Sequence, residues 1–114
     1  MKLNEIAELI EGEVVGCQTN GDYEMTKAFC SDLMSDVLRY SLEETVLLTG
    51  LCNIQTMRTA EMADLSVVVI GRGKQPDEEM LELAEESDIT IIKSKFSLFQ
   101  ICATLANAGL KPIY

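Results

Sequence analysis

At 114 residues the chain has the length of one domain, spanning 1–114, and its 47% apolar content suffices for a core without disulfides or a metal. A net charge of −10 argues against nucleic acid or an anionic membrane as a partner, because neutralising phosphates needs a basic face. No apolar run reaches membrane-spanning length and the opening MKLNEIAELIEGE lacks the blocks of an export signal, so a cytoplasmic protein with reduced thiols is expected.

The opening reads as a helix. Asn4 is placed to cap it, Ile6, Leu9 and Ile10 form one face, and Gly12 ends it. Glu13-Val14-Val15 follows as a short strand. Gln18 to Asp22 is polar, with Asn20-Gly21 as a turn, and Tyr23 to Cys30 has room for one or two short strands.

From Lys27 the pattern becomes regular. A strand near 27–30 leads through Ser31, read as an N-cap, into a helix with Leu33, Met34, Val37 and Leu38 on one face. Val46-Leu47-Leu48 is the next strand, followed by a helix capped by Asn53 with Ile54, Met57 and Ala60 inward. Leu65 to Ile70 is a strand whose continuous apolar run implies burial on both faces. Pro76 sits where a first helical residue belongs, and Ile89 to Ile92 is a further strand. Ser97 with Gln100 has the form of a capping box for the last helix, which Gly109 ends. Alternating strands and helices predict an α/β domain with a mostly parallel sheet and right-handed crossovers, built from successive βα units. Strand order is not readable.

The Gly71-Arg72-Gly73-Lys74 stretch invites comparison with a phosphate loop. A Walker loop needs GxxxxGK followed by Ser or Thr; here Gln75 follows and the spacing is wrong. Pro76 occupies the third glycine of a GxGxxG pattern, and Asp77, Glu78 and Glu79 already complement the next helix dipole. A turn into a helix accounts for the stretch.

In a parallel sheet the segments after the strands emerge at one edge, where ligands bind. Those segments carry Arg72, Lys74, Lys93 and Lys95, four of the nine basic residues in the chain. The helices beginning at Asn53 and Ser97 have no carboxylate in their first turn, so their amides stay open to an anion. A ligand site is therefore expected at Gly50, Asn53, Arg72, Lys74 and Lys95, with the anion nearer Asn53 than Pro76. A solvated rim or a subunit contact would explain the same clustering.

Four cysteines at 17, 30, 52 and 102, with no histidine and no CxxC spacing, do not form a zinc framework. They read as small core residues, and neither a metal nor a cofactor is expected. Cys30 and Cys52 are the pair to watch, since each lies between a strand end and a helix start, where a thiol pKa falls.

The stretches CSDLMSDVL, VLLTGLCN, RTAEMAD, VIGRGKQPDEEMLELA and KSKFSLFQICATLANAGL, with the opening LNEIAELIEGEVVG, resemble the stand-alone DRTGG-domain proteins over nearly the whole chain. The literal DRTGG string is absent. The resemblance implies a three-layer α/β domain similar to the N-terminal domain of HPr kinase/phosphorylase, and a regulatory or assembly module, commonly dimeric, without catalysis of its own. Stand-alone members are often encoded near iron-only hydrogenase genes, so an association with redox metabolism is implied too. The kinase activity belongs to a P-loop domain that this sequence lacks. Three readings stay open: a dimerising regulatory module with a protein partner, a sensor of an anionic small molecule or nucleotide, and a thiol-based redox or metal protein using Cys30 and Cys52.

Overall fold

The computed structural model describes residues 1–16 and 23–114; Cys17 and the expected Asn20-Gly21 turn lie outside the described residues. The chain opens with helix α1 (Leu3–Leu9), which buries Leu3, Ile6 and Ala7. Its N-cap is Lys2 rather than Asn4, and the Glu5 carboxylate accepts a hydrogen bond from the Lys2 amide at 3.1 Å. Leu9, expected inside, is 40% exposed, because a seven-residue helix has only two turns with which to face the sheet.

Strands β1 (Glu13–Gly16), β2 (Lys27–Cys30), β3 (Thr45–Thr49), β4 (Val67–Ile70) and β5 (Thr90–Lys93) follow, with β6 (Lys111–Pro112) at the end. They form one sheet in the order β1-β5-β4-β3-β2-β6. All neighbours are parallel except β1, which runs antiparallel to β5. Every residue of β3 and β4 is buried, as the continuous apolar runs require. The terminal Lys-Pro strand was not foreseen; proline is tolerated there because β6 is an edge strand and loses no ladder bond on its open side.

Between the strands lie α2 (Met34–Val37), α3 (Ile54–Met62), α4 (Glu78–Glu86) and α5 (Leu98–Asn107). The strands β2 to β5 step across the sheet in one direction, so right-handed crossovers put α2, α3 and α4 on one face. There Met34, Val37, Met57, Ala60, Met80 and Ala84 pack on Phe29, Leu47, Val68 and Ile91. The step from β5 to β6 returns across the whole sheet. Its helix, α5, must take the other face, where Ile101 and Leu105 join Ile6 and Ile10 of α1 over Val46, Leu48, Val67 and Val69. The three-layer α/β expectation holds, with helices on both faces.

Some helix ends differ from the sequence reading. Ser31 does not cap α2: its hydroxyl accepts from the Leu33 amide at 3.0 Å inside a turn, and the helix starts at Met34. A single helical turn buries Met34 and Val37 and leaves Leu33 (59%) and Leu38 (47%) in solvent. Asp77, not Pro76, begins α4, its carboxylate accepting from the Met80 amide at 2.9 Å; proline stands one residue before the cap. Asn53 and Ser97 cap α3 and α5 as expected, accepting from Thr56 and Gln100 at 3.1 Å. Gly109, at φ +116, sits just past the C-cap of α5.

Gly71 is fixed by packing. A Cβ there would lie 2.9 Å from Ile101 Cδ1 and 3.1 Å from Leu98 Cδ2. The Gly71→Ala variant is expected to lose about 1–3 kcal/mol in urea unfolding through overpacking between β4 and α5; a loss under half of that range would show that α5 yields freely.

Candidate functional site

The parallel strands β2 to β5 deliver their carboxyl ends to one edge of the sheet. At β4 the chain leaves toward α4 on one face, and at neighbouring β5 it leaves toward α5 on the other. This divergence is a topological switch point, where open α/β sheets form a crevice. Two backbone bonds hold the adjoining loops together: the Arg72 amide donates to the Phe96 carbonyl at 2.8 Å, and the Gly73 amide to the Ser94 carbonyl at 2.9 Å. Buried Ser94 donates its hydroxyl to the Ile10 carbonyl at 2.8 Å and accepts from the Phe96 amide, fixing the segment to the end of α1.

The centre of the edge is a charged network. Asp32, just beyond β2, accepts at one oxygen from the Thr49 hydroxyl (2.7 Å) and the Gly50 amide (2.8 Å). The Leu51 amide donates in turn to the Thr49 hydroxyl at 3.1 Å. Lys74 donates its ammonium to the Gly50 carbonyl at 2.7 Å. These bonds, Thr49 first and then Gly50, hold the Asp32 carboxyl below the usual range, with Lys74 and Arg72 adding to the effect.

Arg72 lies over Gly50. A Cβ placed on Gly50 would come within 3.1 Å of Arg72 Cδ and 3.5 Å of Arg72 Nη1. The arginine backbone is left-handed, at φ +67, followed by Gly73 at φ +71. Among the described residues, no hydrogen bond or ion pair engages the exposed guanidinium.

Gly50, Arg72 and Lys74 thus converge. Asn53 stands at the start of α3, three residues on, with its carboxamide oxygen committed to the Thr56 amide. Lys95 is drawn the other way. Its ammonium is 3.8 Å from Glu11, beside the Lys93–Glu13 pair at 3.2 Å, and Lys93 also donates to the Gln75 carboxamide. These groups, with Gly73 and Ser94, line a separate crevice of about 270 Å³ between the loops after β4 and β5 and the start of β1. The edge therefore carries two neighbouring groups of charges: a network of Asp32, Gly50, Arg72 and Lys74, and a crevice at Lys93 and Lys95. Asp32 and Thr49 were missed as site residues; their signal was only that a polar side chain follows or ends an apolar strand.

The thiols pair differently from expectation. Cys52 belongs to the face of α3 and α4, its sulfur 3.9 Å from Met80 Sδ, whereas Cys30 faces Cys102 of α5 on the opposite side of the sheet. Side chains alternate along β2, so Phe29 takes the first face and Ala28 and Cys30 the second. Burial against α5, with hydrogen bonding to Cys102 and its repulsion, pushes the Cys30 thiol up to about 12, and burial raises Cys52 as well. Activation of either thiol by a helix N-terminus is thus replaced by desolvation.

Because Asp32 is held ionised in the folded state, its bonds stabilise the fold above the ordinary carboxylate pKa of 3.8 and are lost as pH falls through the lower folded value. Asp32 is largely solvated, so Asp32→Asn is expected to cost only about 1 kcal/mol at neutral pH. In urea unfolding the gap between parent and variant should narrow steadily below pH 4; a gap independent of pH would remove the charge from this account.

No family model matches the chain, and no curated protein is similar to it. Among solved structures, it is similar to the CBS and DRTGG domains of the regulatory region of Clostridium perfringens pyrophosphatase, a structure complexed with its activator, diadenosine tetraphosphate. The likeness has a TM-score of 0.78 at 16% identity, covering 98% of this chain and 48% of that one. The chain thus spans about half the length of its neighbour, and what the two share is the fold, the one that the DRTGG resemblance implied.

Proposed function

We propose that this chain is a non-catalytic regulatory module that senses an anionic small molecule, a nucleotide or phosphorylated metabolite, at the carboxyl edge of its sheet. The observation that carries the reading is Arg72: a guanidinium that makes no hydrogen bond or ion pair among the described residues, held over Gly50 by a left-handed backbone beside the loop junction of a topological switch point. Left-handed backbone costs a residue with a Cβ roughly 1–2 kcal/mol, and such strain gathers at functional sites. Gly50 leaves room for the arginine side chain to lie across the strand end, where a Cβ would crowd it. Lys74 steadies the floor through the Gly50 carbonyl. That the pyrophosphatase region with this fold takes a nucleotide activator supports the ligand class.

Arg72→Gly is the discriminating variant, since glycine accepts the backbone and removes only the side chain. Isothermal titration would compare ADP, ATP, diadenosine tetraphosphate, acetyl phosphate and inorganic phosphate on parent and variant. One of them is expected to bind, and the variant to bind it at least tenfold more weakly, as loss of a charge-assisted bond of about 1.5–3 kcal/mol implies. Equal binding to both proteins, or no binding to the parent, sinks the reading.

The module is also proposed to act as a cytoplasmic homodimer. The observation in favour is apolar: Leu33, Leu38 and Met62 are 59%, 47% and 70% exposed on the layer of α2 and α3. Leu38 and Met62 border one shallow depression. A two-fold contact of ordinary size buries about 800 Å² per partner. Light scattering at high micromolar concentration should give twice the mass of 12.6 kDa, and Met62→Lys should shift it toward one chain; a single-chain mass for the parent refutes the dimer.

A further inference from the structure

We propose that Cys30 and Cys102 form a two-thiolate site for a soft monovalent cation, Cu(I), in the apolar groove between β2 and α5. The groove has a volume of about 310 Å³ and is walled by Ala28, Leu48, Leu105 and Leu110. Both cysteines are free thiols, and both line the groove, Cys30 from the sheet and Cys102 from α5. The groove lies under α5, on the far side of the sheet from Cys52 and the α3–α4 layer, with the Asp32 carboxylate near its Cys30 end.

Three features select the ion. The first is donor number. Among the described residues no group of three or more His, Cys, Asp or Glu side chains is placed to hold a metal, so the four donors of a structural zinc site are missing. The second is donor type. Thiolates in an apolar wall favour soft Cu(I), while magnesium and calcium require oxygen ligands. The third is charge. One monovalent cation with two thiolates leaves a single negative charge; among the described residues lining the groove an oxygen cage for a divalent ion is absent, and Lys111 is the one basic residue.

Access is built into the sheet edge. β6 pairs with β2 only at Lys27 and Ala28, so the outer edge of β2 is uncovered at Cys30, which is exposed. Cys102 stands on α5 with its neighbour Ile101 locked in the core, so its half of the site is positioned by a ten-residue helix. An ion can therefore reach Cys30 first and be carried inward to Cys102. Each bond formed to sulfur displaces one thiol proton to solvent, two in all.

The test is anaerobic titration of the reduced protein against Cu(I) held by the chromophoric chelator bicinchoninate. The parent chain is expected to withdraw one equivalent per chain. Cys30→Ser and Cys102→Ser should each weaken that affinity at least a hundredfold, and Cys52→Ser should behave as the parent. A second measurement needs no variant: iodoacetamide labelling of the folded parent, mapped by peptide mass, should show Cys30 and Cys102 protected only when copper is bound. Failure to withdraw copper, protection at other cysteines, or serine variants with parental affinity would overturn the site. So would one copper per two chains, equally tight Zn(II), or a Cys30–Cys102 disulfide formed in place of the metal complex.

Discussion

The architecture depends on burying both faces of the central strands. β3 and β4 expose nothing, so neither face of the sheet can be left to water. Three successive crossovers in one direction fill one face and leave the other open. Only a return crossover can close it, and α5 makes that return, with α1 beside it. The switch point between β4 and β5 is the unavoidable by-product. Loops that part toward opposite layers leave a gap above the strand ends, and backbone groups and polar side chains must fill it. The Arg72–Phe96 and Gly73–Ser94 amide bonds are that filling.

The charges at this edge are arranged differently from those elsewhere on a chain of net charge −10. Its carboxylates lie mostly on outer helix faces and helix ends, while the edge gathers cations and then partly spends them. Lys74 is committed to a carbonyl and Lys93 to Glu13. Lys95 is 3.8 Å from Glu11 with both groups well exposed, a pair that contributes little and that a phosphate would displace at small cost. Arg72 alone of the four makes no side-chain hydrogen bond or ion pair among the described residues, though its charge helps hold Asp32 ionised. Asp32 limits what can bind, since its ionised carboxylate repels an anion placed directly on the Thr49–Gly50 turn. On the proposed reading an anion would meet the guanidinium from the side facing away from the Asp32 carboxylate.

Much of this was legible in the sequence because it rests on local rules. Apolar runs gave β3, β4 and β5, and the oxygens of Asn53 and Ser97 had no better use than to cap α3 and α5. The hidden parts are those set by distant chain. The Leu33–Leu38 pattern suggested a longer inward face than one helical turn provides. Lys111-Pro112 carries no strand signal, and becomes a strand only because α5 delivers it beside β2. Cys30 and Cys102 come to one groove for the same reason, although a place between strand end and helix start singles out Cys30 with Cys52. Lys95 was placed at the correct edge, but its direction was set by Glu11, which arrives from the end of α1.

The left-handed residues show which part of the loop is structural and which is not. Glu11, Asp64 and Asp88 each stand one residue past a helix C-cap, where left-handed backbone closes the last turn, and Glu44 sits in the turn before β3. Arg72 has no helix to end. It forms two consecutive left-handed positions with Gly73, and both amides point at the segment after β5. A glycine at 72 would satisfy the same backbone bonds without the steric cost. The backbone geometry is thus explained by the junction between two loops, but the choice of arginine is not. What arginine adds is its side chain, carried back over Gly50, where a larger residue would obstruct it. The loop and the glycine beneath it are fitted to each other around the guanidinium, which touches the fold only through its charge on Asp32.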